Sequence, residues 1–146
     1  MGMNKGKWKI LVNATIQKEN KILMGKRVDI DLWEFIGGKI EPGEQPLDTL
    51  ERELIEEVSL DIECNEILTS YVTKIENEDE SLNILHINYL VKSVGKPKLN
   101  KKCHSELKWF DKDELILKLT ENNLDEFCLG VDKVIMELQK CQKNKK

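Results

Sequence analysis

The stretch from Trp8 to Gln17 is rich in apolar and β-branched residues, and a polar break at Glu19-Asn20-Lys21 separates it from a second apolar run, Ile22-Leu23-Met24. This pattern predicts a hairpin. Trp33-Glu34-Phe35-Ile36 alternates and ends at Gly37-Gly38, which predicts a short strand running into a turn-rich loop closed by Glu41-Pro42-Gly43. Pro followed by Gly suits a type II turn. The period then changes. Leu47, Leu50, Leu54 and Val58 recur at helical spacing, Pro46 suits a first helical turn and Asp48 lies near its positive end, so a helix is expected from about Pro46 to Val58. Ile67 to Ile75 and Leu82 to Val94 read as strands paired through the acidic turn Glu76 to Glu80. Gly95-Lys96-Pro97 precedes a last short strand, Glu106 to Phe110, and a short helix, Asp111 to Leu119. Asn123 with Glu126 resembles a capping box, predicting a final helix bearing Leu124, Phe127, Val131, Val134, Ile135 and Leu138. Lys140 to Lys146 reads as a solvated, frayed tail.

The predicted helix beginning at Pro46 carries the most informative chemistry. At about 100° per residue its leucines and Val58 form one arc, and Glu53, Glu56 and Glu57 fall together on the adjoining side. Like charges at i, i+3 and i, i+4 cost a few tenths of a kcal/mol per pair, and such a cluster invites a cation. Carboxylates on a rigid element suit Mg²⁺, a hard ion with oxygen ligands. Taken alone, the glutamates fit a solvated acidic helix face better than a metal site. The preceding segment changes that balance: Gly37-Gly38-Lys39 lets backbone approach a phosphate closely and offers one cation. Glu44 ends the loop, and Arg52 on the helix is placed to fork onto a carboxylate and brace the two together.

Composition narrows the picture further. The 146 residues are 40% hydrophobic and 34% charged, as expected for one compact domain spanning residues 1–146. There is no internal repeat and no interdomain linker. A net charge of -4 with dispersed cations argues against a nucleic-acid groove, so no stable nucleic-acid complex is expected. A polyanionic substrate would then need locally placed cations or metal. Cys64, Cys103, Cys128 and Cys141 have no C-x-x-C spacing and follow no apolar signal segment, which points to free thiols in a reducing cytoplasm. Apolar runs are far shorter than the roughly 20 residues that span a bilayer, and Met1-Gly2 lacks the Ser or Thr of a myristoylation signal. Both a monomer and a homodimer remain open.

Gly38, Glu44, Arg52, Glu53, Leu54, Glu56, Glu57 and Leu60 together resemble the Nudix box, G-x5-E-x7-R-E-U-x-E-E-x-G-U, where U is a bulky aliphatic residue. Only its second glycine is missing. The run Leu32 to Glu41 resembles the MutT-type branch, which commonly reads W-E-F-P-G-G-K; here Ile36 replaces the proline. The resemblance implies an α/β Nudix fold, a mixed β-sheet sandwiched between α-helices with a loop-helix-loop catalytic motif. It further implies a Mg²⁺-dependent hydrolase, with Mn²⁺ as an alternative, that splits a nucleoside triphosphate into nucleoside monophosphate and diphosphate.

By the same resemblance, Glu53, Glu56 and Glu57 would hold metal, Arg52 and Glu44 would orient loop and helix, and Gly38 would contact metal or phosphate through its backbone. Lys39 and Arg27 would face the phosphates, with Phe35 and Asp132 at the base. Two departures stand out. Ser59 occupies the position of the glycine that usually ends the helix in a left-handed conformation, at a cost on the order of 1 kcal/mol. The family's later E-H-x-E-x-x-W reads Cys103-His104-Ser105-Glu106-Leu107-Lys108-Trp109, so a carboxylate is missing and Glu106 is the candidate metal-site replacement, with His104 as a polar neighbour. His86, Trp33, Trp109 and Phe110 read as structural. For the substrate, 8-oxo-dGTP is favoured, with CTP or dCTP as the rival; a noncatalytic nucleotide-sensing domain is a different class of answer that the retained glutamates disfavour.

Overall fold

In the computed structural model, which describes residues 6–144, β1 (Lys7–Lys18) turns at Glu19-Asn20 into β2 (Lys21–Arg27), and the two pair antiparallel as their apolar runs predict. β1 is unusually busy. It pairs antiparallel with β4 (Ile36–Lys39) and parallel with β6 (Ser81–Val94), which in turn pairs antiparallel with β5 (Asp61–Glu76). β2 is flanked by β3 (Trp33–Glu34) and β7 (His104–Asp111). The result is a mixed seven-stranded sheet.

β2, β6 and β7 alternate apolar positions between two cores, as a period of two requires. Val12, Ala14, Ile16 and Leu23 face one core with Leu50, Leu54 and Val58 of α1 (Pro46–Val58). Ile22, Met24 and Phe110 face the other, built with Leu115 of α2 (Lys112–Thr120) and Val134, Ile135 and Leu138 of α3 (Val131–Asn144). Helices therefore cover both faces. Asp111 caps α2 by accepting from the Asp113 and Glu114 amides. Among the described residues no helix is long and apolar enough to cross a membrane.

Three expectations need correcting. Gly37 and Gly38 do not open a loop: they lie in β4, paired with Asn13 and Val12, and the turn comes later, where the Glu44 amide donates to the Glu41 carbonyl at 3.0 Å and Gly43 has φ 85°. Asn123 does not cap a helix. Its amide donates to the Lys118 carbonyl at 2.8 Å and closes α2. The next residues are then strapped to β3, with the Trp33 amide on the Glu126 carbonyl at 2.9 Å and the Cys128 amide on the Trp33 carbonyl at 2.8 Å. Those bonds consume backbone groups a helix would need, so α3 starts only at Val131. The lysine-rich end is helical as far as Asn144, while Lys145, Lys146 and the Met1-Gly2 pair lie outside the described residues.

Ser59 does adopt the left-handed conformation expected of its position, with φ 57° and ψ 39°. The Ser59 amide reaches the Ile55 carbonyl at 3.1 Å and the Leu60 amide the Leu54 carbonyl at 3.2 Å, while Leu60 packs into the core. This end of α1 is further held by the Lys98 amide on the Val58 carbonyl at 2.9 Å and by the Asn100 side-chain amide on the Glu56 carbonyl at 3.0 Å. A β-carbon in such a position costs about 1 kcal/mol. Ser59→Gly is therefore expected to raise the melting temperature by roughly 2–4 °C, the shift that about 1 kcal/mol gives a domain of this size. Thermal unfolding followed by circular dichroism checks this; an unchanged or lower midpoint would show that the serine carries no strain there.

Candidate functional site

Burial of Leu50, Leu54 and Val58 sets the rotation of α1 about its axis. Glu53 and Glu57, one residue off that stripe, are thereby turned toward β4, and Glu56 is left at the rim with 57% of its side chain exposed. The approach is close. A β-carbon on Gly38 would stand 2.4 Å from the Glu53 carboxyl carbon, so only glycine lets that carboxylate lie against the strand. Gly37 donates its amide to Glu57 Oε2 at 3.1 Å. The two glycines of the box approach therefore act through a strand and not through a loop.

Arg52 joins the pieces. Its Nε and Nη2 donate to the two oxygens of Glu44 at 2.8 and 2.9 Å, Nη1 donates to Glu53 Oε1 at 2.8 Å, and Nη2 also reaches the Lys39 carbonyl at 3.2 Å. Glu44 accepts in addition from the Thr49 hydroxyl and the Glu41 amide, both at 2.9 Å. The guanidinium fork, then these donors, hold the Glu44 carboxyl down at about 2, so it stays ionised at all ordinary pH. Loop, strand and helix thus share one charged clasp.

Glu57 is in the opposite situation. Burial, then the negative charges of Glu53 and Glu34, push its carboxyl up to about 9 against the single opposing amide of Gly37. Burial also raises Glu53, with Arg52 opposing. Carboxylates crowded along one helix edge, with Arg52 reaching Glu53 and Glu56, form a donor set that suits a hard divalent cation, which would relieve both their repulsion and their desolvation. Glu53, Glu56 and Glu57 are the residues that could hold it.

A second arrangement adjoins this one. β3 and β7 both pair with β2, which brings Glu34 beside His104. His104 is fully buried, with Nε2 2.9 Å from Glu34 Oε2 and 3.9 Å from Glu57 Oε1. The ring sits where Gly25 lacks a side chain: a β-carbon there would be 2.5 Å from Cδ2. Glu34, Glu57 and His104 form a group with metal-ligand spacing. Glu34 was visible in the W-E-F run, but nothing in linear spacing tells that it meets a histidine 70 positions away.

The other candidates are scattered. Glu106 is exposed, opposite Lys26 across the strands, and is not part of this cluster; the side chain that β7 sends toward the glutamates is His104. Cys103 is half-buried, and burial, then the charges of Glu57, Glu53, Glu56 and Glu34, push its thiol up, so it stays protonated near neutral pH. Arg27 is ion-paired with Asp29, with Glu34 at 4.0 Å, and Lys39 is exposed. Phe35 does not stand open to a ligand: it is buried in the α3-side core with Trp33. Asp132 is half-buried in the first turn of α3, and its charge helps burial to raise the Tyr71 phenol. His86 stacks on Tyr71 with ring centroids 4.4 Å apart, and its Nε2 lies 2.8 Å from the Thr73 hydroxyl. Burial drives it down to about 4, so it is a neutral structural residue.

Comparison with known proteins bears on the family and the fold. The CTP pyrophosphohydrolase of Escherichia coli (strain K12) is 33% identical over 81 residues, 53% of this chain and 60% of that protein. The 8-oxo-dGTP diphosphatase of Buchnera aphidicola subsp. Schizaphis graminum (strain Sg) is 43% identical over 60 residues, 38% of this chain and 46% of that protein. These alignments thus span less than two thirds of each relative. The crystal structure of a MutT NUDIX hydrolase from Burkholderia pseudomallei superposes with a TM-score of 0.73 at 21% identity, covering 90% of this chain and 97% of that one, which is a likeness of fold. The NUDIX domain family matches residues 9–128, a span that holds the acidic helix, its arginine clasp and the strands beneath them, and the chain belongs to that family.

Proposed function

We propose that this protein is a Mg²⁺-dependent hydrolase that cleaves a nucleoside triphosphate into a nucleoside monophosphate and diphosphate. The observation that carries this reading is the packing of Glu53 and Glu57 against Gly37 and Gly38, with Glu56 at the rim and Arg52 clasped to Glu44. Glu53, Glu56 and Glu57 would hold the cation, with Mn²⁺ as an alternative, and Gly38 would contribute backbone contacts to metal or phosphate. When bound, the cation supplies Lewis acidity toward the phosphate chain and lowers the pKa of water.

The chain's own groups do the rest. Water attacks a phosphorus, the bridging P–O bond breaks and the leaving phosphate takes the electron pair, while Glu53 accepts or relays the water's proton. Arg52 and Glu44 keep the glutamates and the β4 backbone in register through their shared hydrogen bonds. Lys39, exposed at the end of β4, meets the phosphates, and Arg27 joins it by exchanging Asp29 for phosphate oxygens. A pure nucleotide sensor would have little use for so many adjacent acids, two of them largely buried. The free cysteines are in keeping with a reducing cytoplasm.

For the substrate we favour 8-oxo-dGTP, in nucleotide-pool sanitation, with Asp132 hydrogen-bonding the base edge from α3. CTP is the second reading, favoured by the match to a CTP pyrophosphohydrolase. A base that leaves a half-buried carboxylate unpaired is rejected more strongly than one that merely lacks a methylene. The expected result is a higher kcat/KM for 8-oxo-dGTP than for dGTP and a smaller ratio in Asp132→Ala, with Mg²⁺ dependence retained. Phosphate release from 8-oxo-dGTP, dGTP and CTP decides it: a CTP preference, or a ratio indifferent to Asp132, removes the substrate assignment.

Glu56→Gln and Glu57→Gln are each expected to lower turnover at limiting Mg²⁺ by at least about tenfold, roughly 1.4 kcal/mol of barrier, with the fold intact by circular dichroism. Near-native rates in both variants would take them out of the metal site. Glu57 also yields a stability test. With its folded value at about 9 and an ordinary value of 4.5, the metal-free folded chain holds an extra proton between those limits. The contribution of Glu57 to stability is therefore fully present below its ordinary value, declines as pH rises through the window and levels off above about 9; a cation, which displaces the proton, stabilises more as pH rises. Melting of the chelator-treated protein across this range should show that decline, and Glu57→Gln should flatten it. An equal slope in the variant would mean that another group carries it.

A further inference from the structure

The buried imidazole beside Glu34 and Glu57 is more than the proposed catalytic reading requires. His104 lies on β7, Glu34 on β3 and Glu57 on α1, and their ligand atoms all lie within 4.8 Å of one another. Three separate elements converge there. Gly25, on the strand between β3 and β7, leaves the space that the ring fills. A histidine holds a fixed tautomer when its other nitrogen is bonded, but His104 Nδ1 is buried with no hydrogen-bond partner among the described residues. With the Glu34 carboxylate as acceptor 2.9 Å away, Nε2 is therefore the donor in the metal-free chain, and a cation seated between the ring and the carboxylates would take that proton's place.

We propose that Glu34, Glu57 and His104 form a cation site, distinct in its donors from the Glu53–Glu56 edge, that takes a first-row transition divalent cation in preference to Mg²⁺. Glu57 is common to both sites, its Oε2 held by Gly37 and its Oε1 facing His104. One imidazole nitrogen with two carboxylates is a borderline donor set. Imidazole raises affinity along the Irving–Williams order, whereas Mg²⁺ favours oxygen and retains its waters. The site also stands where the chain lacks a carboxylate, since Cys103 precedes His104 and a soft sulfur is a poor substitute for an oxygen ligand.

Mn²⁺ added to the chelator-treated full chain is the probe, read by pulsed electron paramagnetic resonance. The expected spectrum shows ¹⁴N coupling from a directly bound imidazole, and calorimetry gives Mn²⁺ at least about tenfold tighter binding than Mg²⁺. The chain has 2 histidines, and the other, His86, is stacked on Tyr71, so the nitrogen is assignable. His104→Gln should abolish the coupling and His86→Gln should keep it. Glu34→Gln, which retains both imidazoles, should weaken this Mn²⁺ by at least about tenfold, and it serves should His104→Gln not fold. No ¹⁴N coupling in the native chain, coupling that survives in His104→Gln, or Mn²⁺ affinity unmoved in Glu34→Gln would each overturn the proposal. Coupling that persists in a chain showing no Mg²⁺-dependent hydrolysis supports this site and overturns only the catalytic reading.

Discussion

Holding Glu57 out of water, within reach of Glu53 and Glu34, is the costly contact around which the site is organised. Ionising a buried carboxyl without a full counter-charge costs several kcal/mol of hydration, and the neighbouring acids add repulsion, so without a cation Glu57 keeps its proton up to about 9. The apolar stripe of α1 offsets that cost: Leu50, Leu54 and Val58 are fully buried, and their packing admits only the helix rotation that turns Glu53 and Glu57 onto β4. Arg52 supplies the one cation of the clasp but gives most of its hydrogen bonds to Glu44 and the β4 backbone. The remaining deficit is what creates affinity for a divalent ion. A site with its charges already paired would bind metal weakly.

The sheet makes this tension sustainable. β1 pairs with β2, β4 and β6, so the backbone beneath the acids is fixed from several sides before any ligand arrives. Segment 98–100, tied to the last carbonyls of α1, holds the far end of the helix and leads directly into β7 and His104. Hence the helix that bears the glutamates and the strand that bears the histidine are constrained through one short connection. Glycines at 25 and 38 give the room that these approaches need. Rigid elements with side chains locked by such neighbours are what a cation-dependent reaction needs, because misplacement of a ligand by an ångström is costly.

Much of this was legible in linear order because the interactions are local. The α1 boundaries, its apolar arc and the acidic side beside it follow from a period of 3.6 that any helix must obey. The left-handed Ser59 follows from its place after the last apolar position and before Leu60, whose burial pulls the chain back over the helix end. Arg52 and Glu44 are separated by two helical turns and a short loop, close enough that a fork between them could be anticipated. The two hairpins are likewise decided by turn residues and flanking runs.

What the tertiary structure alone decided depends on contacts distant in sequence. Gly37 and Gly38 look like turn residues in isolation, yet pairing with Asn13 and Val12 draws them into a strand, since β1 had an edge to satisfy. The capping pattern at Asn123 failed because Trp33, some ninety positions earlier, took up the backbone of residues 126–128. Glu34 meets His104 because β3 and β7 are both partners of β2, and no spacing between residues 34 and 104 encodes that. By itself the sequence determined the helix, its charge, its cap and the family motif, all set by neighbours within a few residues. Which additional side chains share the buried field of those glutamates was decided by strand pairing, because register across a sheet is fixed by the whole packed molecule.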